Sequence, residues 1–426
     1  MSVLQENVIS TLKEHILVDG FHHVMDFERS HGSWLVDKVD GKEYLDCFGQ
    51  FASLALGYNH HSLLRSKYRL TNAALHKIVN SDLYSVEYAS FVDKLFKFAL
   101  PDYFKYSFFI EGGAPAVENA LKVAFDWKAK RMGFKIEDEF IPNYLDVIHF
   151  DGCFHGRLGY SIGLTKTGKL KNGLFPHLDW PAITPPHTTN ENVEELEKLS
   201  INQAKDAFLK NKIAAIILEP QMGEGGNYMF RKEYIQQLRD LADENDSLLI
   251  FDEVQTGMGA SGKWWLHEHY GVEPDIMVFG KKMQVCGITA TTKNLDKVPD
   301  HCFRQSGRIN STWGGNIVDM VRAEIIIDTI VAENLIENTA KVGNHLLSEL
   351  NVLSQEFPEI TNVRGIGTLV AIDFPTTERR NEVLEKLRPY MVILGCGSRS
   401  IRFRPALTFS ENDATQAVDF FRAALV

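Results

Sequence analysis

The chain has 426 residues, a formal net charge of −11 at pH 7, and an average globular composition with 44% hydrophobic and 24% charged residues. This length allows two or three domains, or one large α/β domain with an appendage. The composition excludes a disordered, collagen-like or coiled-coil protein. The negative charge argues against a nucleic-acid partner, because affinity for phosphate backbones comes mostly from Lys and Arg.

The cysteines and the apolar segments indicate where the protein works. Five cysteines are scattered without a CxxC pair, which favours reduced thiols and a cytoplasmic location. The opening segment mixes acidic residues with apolar ones, and no run approaches the ~18 apolar residues of a membrane span. We therefore expect an unexported protein with no membrane partner.

The N-terminal part is predicted to be a small α+β piece. Residues 5–18 place apolar side chains at helical spacing, which predicts an amphipathic helix. Apolar and polar residues then alternate in Trp34–Val39 and Lys42–Cys47. The dipeptide Asp40-Gly41 between them favours a β-hairpin with a type I′ turn.

From about residue 85, short apolar strands alternate with long helical stretches. The predicted strands are Tyr106–Ile110, Asp146–Phe150, Ile213–Leu218, Leu248–Phe251 and Ile276–Phe279. The predicted helices between them include Glu87–Leu100, Ala116–Arg131 and Lys232–Asn245. This alternation is typical of an α/β protein with a mostly parallel sheet covered by helices on both faces. Such sheets bind ligands at the carboxyl ends of their strands.

The last hundred residues predict a second small domain, packed with the N-terminal piece. A long helical stretch, Asp319–Phe357, precedes strands at Gly367–Asp373 and Ile401–Arg404 and a closing helix at Glu411–Leu425. The expected parts of the chain are an N-terminal segment of the small domain, a large ligand-binding domain and a C-terminal small domain, at residues 1–75, 76–320 and 321–426.

A glycine pair between a predicted strand and a helix is a candidate anion site. Gly112-Gly113 precedes a helix with Pro115 in its first turn, where a missing N–H costs nothing. The amides of Gly113, Ala114 and Ala116 are then free to bind a phosphate at the positive end of the helix dipole. Most such pairs are only tight turns, so this feature alone does not establish a phosphate site.

Two predicted strands end on residues of opposite charge. Asp252 ends one strand, where a carboxylate is commonly a helix cap or a metal ligand. The other strand ends on Gly280-Lys281-Lys282, and a doubled lysine is usually solvated surface. Together with a phosphate-binding helix, an acid that pairs with a pyridine nitrogen and a lysine that forms a Schiff base are what pyridoxal phosphate requires.

Aromatic and guanidinium groups complete the candidate site. Phe154-His155 follows another predicted strand and could cover the face of a flat ring, although aromatic pairs are more often core. Arg157, and Arg402 with Arg404, are fork-shaped donors suited to carboxylates. Arginines two residues apart near a C-terminus are usually surface residues, so a role for Arg402 and Arg404 in binding is a hypothesis.

At these motifs the chain resembles the class III, fold-type I pyridoxal-phosphate aminotransferases, and within them the lysine 6-transaminase group. The resemblance covers nearly the whole chain, through RSHGSWLVD, EYLDCF, NSDLYS, EGGAPAVENALK, FHGR, LEPQMGEGG, LLIFDEVQTG, PDIMVFGKKMQVCG, NSTWGGN and IRFRPALT. FDEVQTG followed by GKK marks the class, whereas GKKMQVCG, NSTWGGN and RSHGSWLVD point to the lysine group. The resemblance implies a mostly parallel seven-stranded sheet and a small α+β domain built from both chain ends.

The resemblance also implies how pyridoxal phosphate is held. Lys281 would bond the cofactor, with Lys282 as a structural neighbour. Asp252 would pair with the pyridine nitrogen, and Gln255 would hydrogen-bond the ring oxygen. No metal is implied.

The walls of the site follow in the same way. Val254 and Phe154, the latter beside His155, would sandwich the ring, while Gly113 and Ala114 would hold the phosphate. Many relatives have a hydroxyl residue in the phosphate loop, and this chain offers only backbone donors there.

Further residues imply a homodimer and two carboxylate sites. Thr312, with Ser311, would reach the phosphate bound in the neighbouring subunit, so that two chains share each active site. Glu224 would act as a gate that pairs with Arg402, and Arg157 would clamp the far carboxylate of the substrate.

The activity implied is transfer of the ε-amino group of L-lysine to 2-oxoglutarate. The nearest alternative is another ω-aminotransferase that uses ornithine, 4-aminobutyrate or a diamine. A pyridoxal-phosphate lyase, decarboxylase or epimerase would use the same cofactor contacts to break another bond. The third alternative is a non-catalytic α/β nucleotide-binding protein, in which Asp252 and Lys281 are incidental.

Overall fold

The computed structural model describes residues 3–138 and 145–426. Within them, no helix is long and apolar enough to cross a membrane. The strands of the described residues are, in chain order, β1 Trp34–Val36, β2 Glu43–Asp46, β3 Phe104–Ile110, β4 Leu145–Phe150, β5 Ala182–Ile183, β6 Lys212–Leu218, β7 Gln221–Met222, β8 Tyr228–Met229, β9 Leu248–Asp252, β10 Ile276–Phe279, β11 Cys286–Thr291, β12 Thr361–Ile366, β13 Leu369–Asp373, β14 Met391–Val392, β15 Leu394–Cys396 and β16 Ser400–Phe403.

Helices connect these strands and cover the sheets. The α-helices are α1 Val8–Lys13, α2 Gly49–Ala52, α3 His61–Arg65, α4 Lys67–Ala74, α5 Val86–Lys94, α6 Gly113–Arg131, α7 Gly159–Leu164, α8 Lys169–Asn172, α9 Val193–Lys210, α10 Lys232–Glu244, α11 His267–Tyr270, α12 Thr292–Leu295, α13 Ile317–Ala332, α14 Leu335–Glu356, α15 Thr377–Leu387 and α16 Glu411–Leu425. Short 3₁₀ or π turns lie at Gln5–Asn7, Leu95–Ala99, Lys281–Met283 and Cys302–Arg304.

The largest sheet has seven strands in the order β3-β11-β10-β9-β6-β4-β5. Its paired strands are parallel except for β11, which is antiparallel to both neighbours. This confirms the mostly parallel seven-stranded sheet. The five predicted strands lie within two residues of β3, β4, β6, β9 and β10. Sequence periodicity missed β5, which has two residues, and β11, where Gly287, Thr289 and Thr291 interrupt the apolar run.

Both faces of this sheet are buried, as the continuous apolar strands require. In β9, Leu249 and Phe251 pack with the residues of α9 and α10, whereas Leu248 and Ile250 pack with those of α6. All four side chains are fully buried. Since successive side chains of a strand point to opposite faces, one short strand joins two cores and fixes the position of its last residue, Asp252.

The small domain uses both ends of the chain. Its antiparallel sheet has the order β12-β13-β16-β15, and α14, α15 and α16 pack against it. A second sheet pairs β14 with β2 in parallel, with Met391 opposite Leu45. A strand from the C-terminal part therefore completes an N-terminal hairpin, which confirms the small α+β domain built from both ends. The boundaries at residues 75 and 320 remain predictions.

The turn of the N-terminal hairpin differs from the predicted type I′ turn. In the hairpin Val36 lies opposite Glu43, and the Asp37 N–H donates to the Lys42 carbonyl. The Asp37–Lys42 pair thus encloses a four-residue turn, residues 38–41, in which the Gly41 N–H donates to the Asp37 carbonyl. The Asp37 carboxylate accepts the N–H of Val39 at 2.8 Å, so a local side-chain contact stabilises the longer turn.

Two predicted helices also differ from the structure. The helix expected over residues 5–18 ends at Lys13, and its later apolar residues, Ile16 and Leu17, are exposed. Without burial a short helix has little support. The stretch Asp319–Phe357 is two helices, α13 and α14, separated at Asn334, whose φ of 52° is left-handed.

Candidate active site

A cavity of about 290 Å³ lies at the edge of the large sheet where β3, β4, β6, β9 and β10 have their carboxyl ends. The location is the one expected for ligands of an open α/β sheet. The cavity brings together nine residues singled out in the sequence: Gly113, Ala114, Phe154, His155, Arg157, Asp252, Val254, Gln255 and Lys281. It is also lined by Val117, Gly156, Glu219 and Cys286.

A carboxylate–imidazole pair lies at the end of β9. The Oδ2 atom of Asp252 is 2.8 Å from Nδ1 of His155, whose side chain is fully buried. The other oxygen, Oδ1, accepts the N–H of Val254 at 3.1 Å. Burial opposes a charged imidazole, but contacts with the Cys153 sulfur and the Asp252 carboxylate raise the pKa of His155 well above its usual value. The histidine therefore fixes the orientation of the Asp252 side chain through a buried contact.

The two adjacent lysines after β10 have different surroundings. Lys281 lines the cavity, whereas Lys282 is 2% exposed and donates to the Ala52 carbonyl at 3.2 Å. Burial and the nearby Arg402 lower the pKa of Lys281 to about 7, and burial with Arg404 does the same to Lys282. The pKa therefore does not distinguish them, but access to the cavity does.

The backbone at Lys281 is unusual as well. Its backbone φ of 50° lies in the left-handed region, which residues with a Cβ rarely adopt. Such strain persists where the surrounding structure imposes it, and it is common at functional sites. The turn after β10 thus directs the Lys281 amine to the cavity, and a large share of this amine is uncharged at neutral pH.

The first turn of α6 offers backbone donors to the cavity. Gly112, with a φ of 100°, lets the chain turn sharply into the helix, and α6 begins at Gly113. The Ala116 N–H donates to the Gly112 carbonyl, which removes it from the predicted donors. The amides of Gly113 and Ala114 remain at the positive end of a 19-residue helix.

The residues present fit pyridoxal phosphate. A Cβ added to Gly113 would lie 3.2 Å from Val254 Cγ1, and one on Gly156 would lie 2.5 Å from the Ala114 Cβ, so glycines keep the cavity open. Within the described residues, the buried Nε2 of His155 has no hydrogen-bond partner. An amine, a fixed carboxylate, apolar walls and free helix amides together form a donor set for a flat, anionic pyridine aldehyde.

An ion pair adjoins the cavity. Gln255 lines both the cavity and a narrow cleft that reaches Arg402. Arg402, on β16, is 4% exposed and its Nη2 lies 2.5 Å from Glu224 Oε1. Burial alone would raise the pKa of Glu224, but Arg402 and Lys171 lower it to about 2. Glu224 is therefore ionised at every working pH.

The other predicted arginines differ in exposure. Arg157 is exposed at the rim of the cavity, where it is free to meet a substrate that enters. Arg404 is 3% exposed and donates to Asn227 and to the Phe403 carbonyl. Burial and Arg402 lower the pKa of Arg404 to about 9. Arg402 and Arg404 are thus both buried, although such pairs are usually at the surface.

Two polar residues at the site were missed from the sequence. Glu219 follows β6 and accepts the N–H groups of Phe154 at 2.9 Å and of Gly223 at 3.1 Å. Burial raises its pKa to about 7. The rule that identified Asp252, a carboxylate at the carboxyl end of a buried strand, could have found Glu219. Lys171, on α8, lies 3.1 Å from Glu224, and no sequence pattern indicated this contact.

Ser311 and Thr312 do not line the cavity of their own chain. Thr312 is exposed, and its carbonyl accepts the Ser81 hydroxyl at 3.3 Å. The Ser311 hydroxyl accepts the N–H of Gly314 at 3.0 Å. The hydroxyl of Thr312 is therefore available to another molecule, and its role in a neighbouring subunit remains a proposal.

A separate cluster of potential metal ligands lies away from the cavity. One ligand atom from each of His60, His61 and Glu333 lies within 4.8 Å of the others. The His60 Nδ1 accepts the N–H of Ser62, so a neutral His60 keeps its proton on Nε2, which faces Glu333 at 3.4 Å. This arrangement favours a hydrogen bond to the carboxylate over a cation.

The sequence is similar to known aminotransferases. The family model described as "Aminotransferase class-III" matches residues 18–425. An L-lysine-epsilon aminotransferase of Streptomyces clavuligerus is 42% identical over 428 residues, which cover 97% of this chain and 93% of the relative. A 4-aminobutyrate aminotransferase of Dictyostelium discoideum is 32% identical over 426 residues, which cover 94% of this chain and 84% of the relative.

The fold comparison gives the same result. A solved structure of lysine aminotransferase from M. tuberculosis matches with a TM-score of 0.95 and 41% sequence identity, and the match covers 99% of each chain. The family model and these near-complete matches cover the small domain as well as the large one. The chain therefore belongs to the class III aminotransferase family.

Proposed function

We propose that this chain uses pyridoxal phosphate to transfer the ε-amino group of L-lysine to 2-oxoglutarate. The products would be L-glutamate and 2-aminoadipate 6-semialdehyde, which cyclises to piperideine-6-carboxylate. The observation that carries the proposal is the meeting of the Lys281 amine, the Asp252–His155 pair and the first amides of α6 at one cavity. The lysine aminotransferases that match the chain support lysine as the donor.

The bound cofactor would supply an electron sink for the carbanion formed at the substrate carbon. The chain would maintain that sink through Asp252, whose carboxylate holds a proton on the ring nitrogen. His155 would keep this carboxylate oriented, because it contacts Oδ2 from a fully buried position. Phe154 and Val254 would exclude water from the two faces of the ring.

Lys281 would act as the general base and acid. With its pKa lowered to about 7, a large share of the amine is neutral near pH 7 and can accept the proton of the substrate carbon. The resulting ammonium can then return that proton to the other reacting carbon. Because one group does both, the two proton transfers need no bulk water.

Two substrates with different ends would share this pocket. Lysine, bound by its ε-amine, has no carboxylate at the reacting carbon, so Glu224 can stay on Arg402 while Arg157 holds the distant α-carboxylate. The ketone of 2-oxoglutarate has a carboxylate beside it, for which Glu224 must release Arg402. The two half-reactions then alternate in a ping-pong cycle.

A panel of amine donors tests the substrate. The enzyme is incubated with 2-oxoglutarate and either L-lysine, L-ornithine, 4-aminobutyrate or a diamine, and glutamate and the second product are measured by mass. We expect L-lysine to give the highest kcat/KM. A higher kcat/KM for another donor would show that this donor, and not lysine, is the substrate. If no donor gave glutamate, the proposed transamination would be refuted.

The assembly and location follow from the same proposal. We propose a homodimer with shared active sites, in which Thr312 and Ser311 of one subunit reach the phosphate bound by the other. All five cysteines are unpaired, which is consistent with work in the reducing cytoplasm.

Mixed dimers test the shared site. Thr312→Ala chains should retain the cofactor weakly, and Lys281→Met chains should be inactive. If Thr312 acts across the dimer, mixing the two places both lesions in one site and leaves the other intact, so activity should rise above that of either parent. Absence of recovery after verified chain exchange would place Thr312 within its own subunit.

Replacing Glu224 with alanine tests the gate. Arg402, 4% exposed, would lose its counter-charge, and leaving one member of a buried pair alone typically costs about 3–5 kcal/mol. The site would then favour a carboxylate beside the reacting carbon. We expect the single-turnover rate with lysine to fall at least about tenfold, while the rate with glutamate holds or rises. Equal losses in both half-reactions would contradict the gate.

A further inference from the structure

Glu224 has a second cationic partner that the proposed gate does not yet use. Its Oε2 lies 3.1 Å from Nζ of Lys171, whereas its Oε1 contacts Arg402. Lys171 is on α8 and also donates to the Thr167 hydroxyl at 3.0 Å. Arg402 belongs to β16 of the small domain. One carboxylate thus connects cations from separate parts of the fold.

The two cations differ in what they could do when the gate opens. The Arg402 side chain is 5% exposed, so it needs an anion at all times, either Glu224 or a substrate carboxylate. The Lys171 side chain is 22% exposed and that of Glu224 is 20% exposed. Their contact is therefore nearer to solvent than the guanidinium of Arg402. When a substrate carboxylate takes Arg402, Glu224 can keep Lys171 as its partner.

We propose that Lys171 is a positioning residue that holds Glu224 in the open state of the gate, so that a dicarboxylate can replace Glu224 on Arg402. This rests on the proposed function, in which 2-oxoglutarate and lysine alternate in one site. Without Lys171, a released Glu224 would be left as a partly buried carboxylate without a counter-charge. The closed state would lose one of its two cationic partners and keep Arg402, whereas the open state would lose the partner that replaces Arg402, so opening would be less favourable.

The neighbourhood of Lys171 decides which substitution tests this. Its Nζ also lies 5.0 Å from the centroid of the Phe154 ring, a distance at which a cation is attracted to an aromatic face. Methionine keeps a side chain of similar length against Phe154 and removes the charge, together with the hydrogen bond to the Thr167 hydroxyl. Lys169→Met, on the exposed part of the same helix, is the matched control.

The first measurement is binding of glutarate to the holoenzyme, by calorimetry. Glutarate has both carboxylates of 2-oxoglutarate but no ketone, so binding is separated from reaction. We expect Lys171→Met to weaken glutarate about fivefold, the size of a partly exposed ion pair, and Lys169→Met to leave it unchanged. The single-turnover rate with lysine should change less than about twofold. Unchanged glutarate binding, or equal losses for glutarate and lysine, would overturn the proposal.

A double-mutant cycle shows whether Lys171 acts through Glu224. In a Glu224→Gln background there is no carboxylate to hold, so Lys171→Met should have no further effect on glutarate binding. A second fivefold loss in that background would mean that Lys171 binds the dicarboxylate itself and would overturn the positioning role. Cofactor content and thermal unfolding of each variant report on the fold. Because glutarate is not an amine donor, these results stand apart from the donor panel.

Discussion

Replacing Lys281 with methionine is expected to lower turnover by about 10³-fold or more, because the amine that bonds the cofactor and the group that moves the proton are lost together. Lys281 is the lysine that lines the cavity, and burial and Arg402 keep its pKa near 7. The assays are steady-state turnover and the absorbance of the bound cofactor. The variant should still bind pyridoxal phosphate, but dialysis should remove it more readily.

Lys282→Met is the matched control. It changes the adjacent residue, which also has a pKa of about 7 but is buried and donates to the Ala52 carbonyl outside the cavity. Losing that hydrogen bond costs about 1 kcal/mol of stability and should leave turnover within a few-fold of the parent. Borohydride reduction followed by peptide mapping should label Lys281. A label on Lys282 would show that the assignment is wrong by one residue.

Replacing Asp252 with asparagine is expected to lower turnover by about 10²–10³-fold while the cofactor stays bound. An amide keeps the shape of the side chain and can still accept a hydrogen bond from His155 at the position where the carboxylate does. It cannot hold a proton on the ring nitrogen, because it has no negative charge. The measurements are turnover, cofactor content, and the pH dependence of cofactor absorbance.

Asp240→Asn, on the exposed side of α10, makes the same chemical change away from the site and should leave turnover unchanged. The two variants together separate the charge at Asp252 from the general effect of one carboxylate fewer. Near-normal turnover in Asp252→Asn would refute the electron-sink role.

The large domain and the residues of its cavity were predictable because strand ends are visible in a sequence. A buried parallel strand is a continuous apolar run, and the first polar residue after it lies at the ligand-binding edge. That rule located Asp252 and Lys281 within one cavity. The roles of Gln255 and Thr312 came from family resemblance alone, since nothing in their local pattern indicates a ligand.

The remaining features depend on contacts between distant segments. Lys171 meets Glu224 only because α8 folds over the loop after β7, and the sequence has no periodicity that records this. The four-residue turn after β1 depends on the Asp37 side chain, which competes with the turn that Asp40-Gly41 favours. The break at Asn334 between α13 and α14 lies in a sequence with good helix formers on both sides. In the first two cases a tertiary or side-chain contact outweighs local preference, whereas at Asn334 asparagine itself tolerates the left-handed conformation that ends a helix.

The pairing of β2 with β14 sets the order in which the protein can be completed on the ribosome. Leu45 pairs with Met391, which is synthesised much later, so the first hairpin leaves the exit tunnel without its third strand. At roughly 5–20 residues per second, that strand emerges some tens of seconds later. Lys282 bonds Ala52, just beyond β2, so the lysine turn of the large domain also rests on this late-completed region. A nascent chain lacking its last segment would therefore have an exposed sheet edge, which is a target for chaperones.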